Sequence, residues 1–158
     1  MSLLSNLQQL CIEKKVSIVV AESCTAGLIA SKLTDLSGSS SYFKGGIVAY
    51  QNEIKTKILG VSQSIIDEKT EVSAEVVKQM AKSVLKKFDA DLAIATSGYA
   101  GPTGGTNKNP IGTVFIAIAS AEGVVTNRFI FSGNRQSVVN QASESSLDLL
   151  YAEVKKQQ

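Results

Sequence analysis

The 158-residue chain contains no histidine. That absence removes every Ser-His-Asp triad and Cys-His dyad and argues against a zinc site. Any nucleophilic chemistry must take its base from another residue, and lysine is the main candidate. Cysteine is scarce, for Cys11 and Cys24 are too few to build a disulfide framework. Cys11 falls on the apolar side of a helical pattern, as expected of a buried free thiol. No apolar run approaches the ~20 residues that cross a bilayer. Residues 1–15 alternate polar and apolar positions without a signal-peptide core, so a cytoplasmic location is expected. Charge of one sign is also missing. The formal net charge is +2 and the lysines are interspersed with acids, which predicts neither a nucleic-acid nor a membrane partner.

What is present is an ordinary globular composition, 44% hydrophobic and 19% charged. The length suits one domain over residues 1–158, able to bury roughly two thirds of its unfolded surface. Apolar spacing predicts helices over Ser2–Lys14, Thr25–Leu36, Glu53–Leu59, Ser73–Phe88 and Arg135–Lys155. Ser73 is placed to cap its helix, and Glu75 to favour the positive end of its dipole. Strands are predicted over Val16–Val20, Phe43–Tyr50, the segment ending near Ala95, and a hairpin of Thr113–Ala119 with Val124–Phe131. This alternation predicts an α/β fold. It is a three-layer α/β/α sandwich around a mostly parallel, mixed sheet of about five strands, one of them antiparallel.

Two polar, small-residue segments follow predicted strands: Ala21-Glu22-Ser23-Cys24-Thr25-Ala26-Gly27 and Ser97-Gly98-Tyr99-Ala100-Gly101-Pro102-Thr103-Gly104-Gly105. In a parallel α/β sheet such segments line one crevice beyond the carboxyl ends of the strands, where ligands bind. Ser23 is expected at the N-terminus of the next helix, as an N-cap or as a nucleophile beside free backbone N–H groups. Cys24 competes as nucleophile, since a helix N-terminus lowers a thiol pKa. The second segment matches neither a P-loop nor G-x-G-x-x-G. Its glycines still let backbone N–H groups converge on an anion, which favours a binding loop over a plain one. Lys55 lies five residues past Tyr50 beside Ile54, Ile58 and Leu59. It is either a solvated helix lysine like Lys57 or a desolvated amine able to act as a base.

Four segments in order, A-E-S-C-T-A-G, G-S-S-S-Y-F-K-G-G-I-V-A-Y-Q-N-E-I-K, S-G-Y-A-G-P-T-G-G-T…P-I-G-T-V and F-S-G-N-R, together resemble the CinA C-terminal domain. The resemblance covers about Leu3 to Tyr151. Enzymatic members of that family are nicotinamide-nucleotide amidases. The resemblance therefore implies a three-layer α/β/α fold and hydrolysis of the amide of nicotinamide mononucleotide to nicotinic acid mononucleotide and ammonia. It implies a serine/lysine mechanism with no metal and no cofactor. Many relatives also carry an N-terminal molybdopterin-binding-like domain.

Carried over by position, the resemblance implies catalytic roles for Ser23, Ser40, Lys55 and Tyr50. It places Thr25, Ser97, Gly98, Gly101, Thr103, Gly104, Gly105 and Arg135 on the substrate side. The expected partners are a small-molecule nucleotide substrate and further copies of the chain in a homo-oligomer. Ala26, Asn134 and Val139 stand where the family usually has glycine, aspartate and often arginine. These departures keep open a non-catalytic nucleotide-binding or regulatory module on the same fold, or an amidase of another small substrate. If the first two strands are parallel, Ser40 starts at the opposite sheet edge, roughly 25–30 Å from Lys55 by strand rise. Topology then favours Ser23 as nucleophile. Ser40 would need a bent entry or a neighbouring subunit.

Overall fold

The computed structural model describes residues 1–158. Helix α1 (Leu3–Lys14) starts on a Ser2 cap, whose side chain accepts from the Ser5 N–H. Strand β1 (Ile18–Glu22) follows, then the short helix α2 (Leu28–Leu33), a 3₁₀ turn at Ser39–Ser41 and strand β2 (Phe43–Val48). Three helices come next: α3 (Asn52–Lys57), α4 (Gln63–Lys69) and α5 (Ala74–Phe88). Strands β3 (Leu92–Gly98), β4 (Thr113–Ser120) and β5 (Gly123–Ile130) precede the closing helix α6 (Arg135–Lys156).

The five strands form one sheet in the order β2-β1-β3-β4-β5. β1 runs parallel to both β2 and β3, while β4 is antiparallel to β3 and to β5. One strand therefore opposes four, as the sequence pattern predicts.

The period of two along each strand divides the core into two layers. Ile18, Val20, Leu92, Ile94, Val114, Ile116 and Ile118 meet Leu7, Cys11, Ile29, Leu33, Val138, Leu150 and Val154 from α1, α2 and α6. The other face presents small residues, Ala21, Ala93, Ala95, Ala117 and Ala119. Val76, Val77, Met80 and Val84 of α5 fill the space those alanines leave. Large side chains against small ones bring α5 close to the sheet at interior packing density. Its start is as predicted, with the Ser73 hydroxyl accepting from the Val76 N–H.

Two helices differ from the sequence expectation. α2 begins at Leu28 rather than Thr25, because Ala26 and Gly27 adopt positive φ of 47° and 95°. Left-handed backbone at two successive residues interrupts a right-handed helix. The unpredicted α4 has only Ile65 and Ile66 as large apolar residues in seven positions, too few for a periodic signal.

The chain leaves β1 for the outer strand β2, then crosses back to place β3 on the other side of β1. Strand order thus reverses at β1. Such a switch point opens a crevice beyond the carboxyl ends of the adjacent strands.

Candidate functional site

That crevice exists as a cleft of about 200 Å³, open to solvent. Ser23 and Cys24 enter it after β1, and Tyr50, Asn52 and Lys55 after β2. Glu71 and Val72 come from the segment ahead of α5, Ser97 to Gly101 and Thr103 from β3 and its loop, and Arg135 from the start of α6.

The loop after β1 is shaped by a residue outside the predicted set. Glu22 is fully buried at the end of β1. Its Oε1 accepts from the Thr25 hydroxyl at 2.6 Å and the Ile29 N–H at 2.9 Å, and its Oε2 accepts from the Ala30 N–H at 3.0 Å. The carboxylate thereby satisfies N–H groups that α2 cannot pair internally. Ser23 is not the cap of α2, contrary to expectation. It stands five residues before the first helical position, 7% exposed in the cleft wall. Its backbone N–H donates to the Thr96 carbonyl at 3.1 Å. Thr96 Oγ1 lies 2.9 Å from Thr25 Oγ1, so Glu22, Thr25 and Thr96 brace the backbone that presents Ser23. Thr25 is therefore a buried brace and does not reach the cleft.

Cys24 is buried, and desolvation pushes its thiol up to about 12, against weaker opposing influences from Thr96 and Lys55. The expectation that a helix terminus lowers it fails, because α2 starts four residues later and burial dominates. Cys24 stays protonated at neutral pH. Its backbone N–H has no backbone acceptor and adjoins Ser23.

Lys55 is 1% exposed, whereas Lys57 reaches solvent and pairs with Glu53. The Lys55 Nζ donates to the Tyr50 carbonyl at 3.1 Å. Burial lowers its pKa below the ordinary lysine value, while Glu71 and Cys24 pull in the opposite direction. Desolvation wins because no carboxylate lies in contact with the amine, and it makes Lys55 easier to deprotonate than a solvated lysine such as Lys57.

The loop after β3 supplies the other wall. Gly98 is required at its position, since a Cβ would lie 2.7 Å from the Thr113 carbonyl oxygen. None of the backbone N–H groups of Ala100, Gly101, Thr103, Gly104 or Gly105 donates to another backbone group. Such a run of free donors suits an anion. Gly104 and Gly105 nevertheless lie outside the cleft, on a neighbouring depression with Thr106 and Asn107. Only Gly98, Gly101 and Thr103 of the predicted loop residues line it alongside Ser97. The Ser97 hydroxyl donates to the Glu71 carbonyl at 2.7 Å. Arg135 spans the rim, donating to the Gly101 carbonyl at 2.8 Å and to the Tyr50 hydroxyl at 2.7 Å.

Ser40 is the predicted residue that the single chain leaves far from the cleft. It is exposed in the 3₁₀ turn before β2. Phe43, three residues on, pairs with Ile18 at the start of β1, the end opposite the cleft. Asn134 caps α6 through its side chain, which accepts from the Ser137 N–H. Glu22, Thr96 and Glu71 carried no local signal, for acids and threonines at element ends are common wherever caps form.

The fold and cleft define a class: three-layer α/β/α proteins with an open mixed sheet and a site beyond its carboxyl edge. Within it, the model of the CinA C-terminal domain matches residues 1–154, and the chain belongs to that family. A CinA-like protein of Flavobacterium psychrophilum is 47% identical over 150 residues, covering 95% of this chain and 36% of the relative. A putative competence-damage inducible protein of Caldicellulosiruptor saccharolyticus is 44% identical, covering 90% and 34%. The chain thus spans about a third of the length of these curated relatives. Among solved structures, competence damage-inducible protein A of Klebsiella pneumoniae superposes with a TM-score of 0.94 at 31% identity, over 99% of this chain and 97% of that one. The CinA-superfamily protein of Enterobacter cloacae gives 0.91 at 35% identity, over 96% and 90%. No helix is long and apolar enough to cross a membrane.

Proposed function

We propose that the cleft hydrolyses the carboxamide of nicotinamide mononucleotide, releasing ammonia and nicotinic acid mononucleotide. The observation that carries this reading is the buried Lys55 amine, its pKa lowered by desolvation, in one cleft with Ser23. In the proposed reaction, neutral Lys55 takes the Ser23 hydroxyl proton as Oγ attacks the amide carbon. The Cys24 N–H is available to the oxyanion. When the C–N bond breaks, Lys55 returns the proton to the leaving nitrogen, giving ammonia and a Ser23 ester. Water, deprotonated by Lys55, attacks that ester. Oγ leaves, recovers the proton, and the acid is released.

Tyr50 and Arg135 close the rim, and Arg135 with the free N–H groups of the glycine loop would hold the phosphate. In this reading Ser40 takes part only if a second copy delivers it.

Ammonia release from the nucleotide, measured with EDTA present, tests the reading. Ser23→Ala is expected to abolish turnover while nucleotide binding persists, and Ser40→Ala to keep substantial activity. Activity lost on chelation and restored by zinc would overturn the serine/lysine mechanism. The opposite serine pattern would transfer the nucleophile to Ser40. Tight nucleotide binding with no turnover by the unaltered protein would favour a regulatory module.

A further inference from the structure

Glu71 is the unexplained charge in the cleft. The backbone that carries it is held from three sides. The Ser97 hydroxyl donates to the Glu71 carbonyl at 2.7 Å, the Asn109 amide to the Val72 carbonyl at 3.3 Å, and Ser73 Oγ to the Thr70 carbonyl at 3.1 Å. Thr70, immediately before it, adopts φ 68°, a left-handed conformation that a β-branched residue avoids unless its surroundings enforce it.

This firmly positioned segment presents a carboxylate that makes no ion pair, although its charge acts on the Lys55 amine across the cleft. The four ion pairs of the molecule are Lys32–Glu144, Lys57–Glu53, Lys69–Glu68 and Lys156–Glu153, and Glu71 belongs to none of them. Its side chain makes no hydrogen bond, yet it lines the same cleft as Ser23, Lys55 and Arg135. Glu71 reaches the cleft from the helix layer of α5, whereas Arg135 reaches it from α6 on the opposite face of the sheet. The cleft is therefore electrically two-sided, with the Glu71 carboxylate entering from one layer near the buried Lys55 amine, and a guanidinium beside unpaired N–H groups on the other side.

We infer that Glu71 is a specificity residue that pairs with a positive charge on the ligand, so that the cleft selects a zwitterion carrying a cationic ring and an anionic tail. The inference rests on the amidase reading for the identity of that ring, which would be a pyridinium bearing the reacting carboxamide. It makes Glu71, together with the base, part of the apparatus that distinguishes this ring from an uncharged amide of the same shape.

The test compares nicotinamide mononucleotide with its ring-reduced, uncharged form, on the unaltered protein and on Glu71→Gln and Glu71→Asp. Binding is measured by calorimetry and turnover by ammonia release. Glutamine preserves the shape and leaves the Ser97 bond intact, since that bond goes to the backbone. Glu71→Gln is expected to weaken binding of the charged nucleotide by about tenfold or more, as for closely placed opposite charges. Binding of the uncharged form should stay within about twofold, and Glu71→Asp should recover most of the discrimination. Equal weakening of both forms, or none for the charged one, overturns the role of Glu71 and leaves the amidase reading standing. Binding without ammonia release overturns the amidase reading while the charge comparison still decides Glu71. Failure of the unaltered protein to bind either form overturns both.

Discussion

Replacing Lys55 by methionine separates the role of its charge from that of its volume. The side chain is 1% exposed and its amine makes a single protein hydrogen bond, to the Tyr50 carbonyl at 3.1 Å. Methionine keeps an unbranched chain of similar length and removes the proton-accepting nitrogen. Loss of a general base costs at least about 10²-fold in kcat, or about 2.7 kcal/mol of barrier.

Stability should respond differently. The folded-state pKa of Lys55 is lowered by burial, so between that pKa and the ordinary lysine value the unfolded chain binds more protons. Unfolding free energy therefore rises with pH across that window, and below it the folded protein bears the cost of a buried ammonium. Lys55→Met removes that cost, which offsets the loss of about 1 kcal/mol from leaving one carbonyl unpaired. The variant is expected to melt no lower than the parent, with the Lys55 contribution to the pH dependence of Tm flattened on the alkaline side. Ammonia-release kinetics and melting curves over a pH series test both halves, with Lys57→Met as the surface control expected to change neither. A kcat within tenfold of the parent would refute the base assignment. A markedly lower Tm with an unchanged pH slope would refute the claim that Lys55 is held against an electrostatic cost. In the parent, the same lowered pKa predicts that kcat/KM rises with pH through an acidic limb whose midpoint lies below the ordinary lysine value. Lys55→Met should abolish that limb.

Three further outcomes follow from particular contacts. Arg135→Ala should raise KM for the nucleotide by about tenfold or more with a smaller change in kcat, as for a lost charge-assisted contact; an unchanged KM would place the phosphate elsewhere. Glu22→Gln should lower unfolding free energy by about 2 kcal/mol, because an amide cannot accept at both oxygens from Thr25, Ile29 and Ala30; denaturant titration measures it, and a neutral result would remove Glu22 as the α2 cap. Ala26→Gly should stabilise by about 0.5–1 kcal/mol, since Ala26 sits at φ 47° and glycine adopts that conformation without the Cβ penalty; destabilisation in the same titration would show that its methyl group packs usefully.

Local pattern was enough for the architecture and for the edge of the sheet where the cleft lies. Ile18, Val19 and Val20 form an apolar run because helices cover both faces of β1, and that condition is visible in the residues themselves. The period of the strands, the cap at Ser73 and the small-residue segments after β1 and β3 are likewise short-range properties. The positions of Ser23, Ser97 and Gly98 at the carboxyl edge follow from them once the strands are parallel. The burial that distinguishes Lys55 from Lys57 is a different matter, because both are lysines on one short helix and only the packing around α3 decides which is desolvated. Gly104 and Gly105 continue the same glycine-rich segment as Gly101 yet turn away from the cleft, a difference set by the path of the loop. Glu22 and Glu71 look in sequence like ordinary acids near helix starts. One becomes a buried cap because the chain turns the Ile29 and Ala30 N–H groups onto it, and the other lines the cleft because Ser97 and Asn109, distant along the chain, hold its backbone. Periodicity reports which face a residue occupies; desolvation and charge pairing depend on what the folded chain brings against that face.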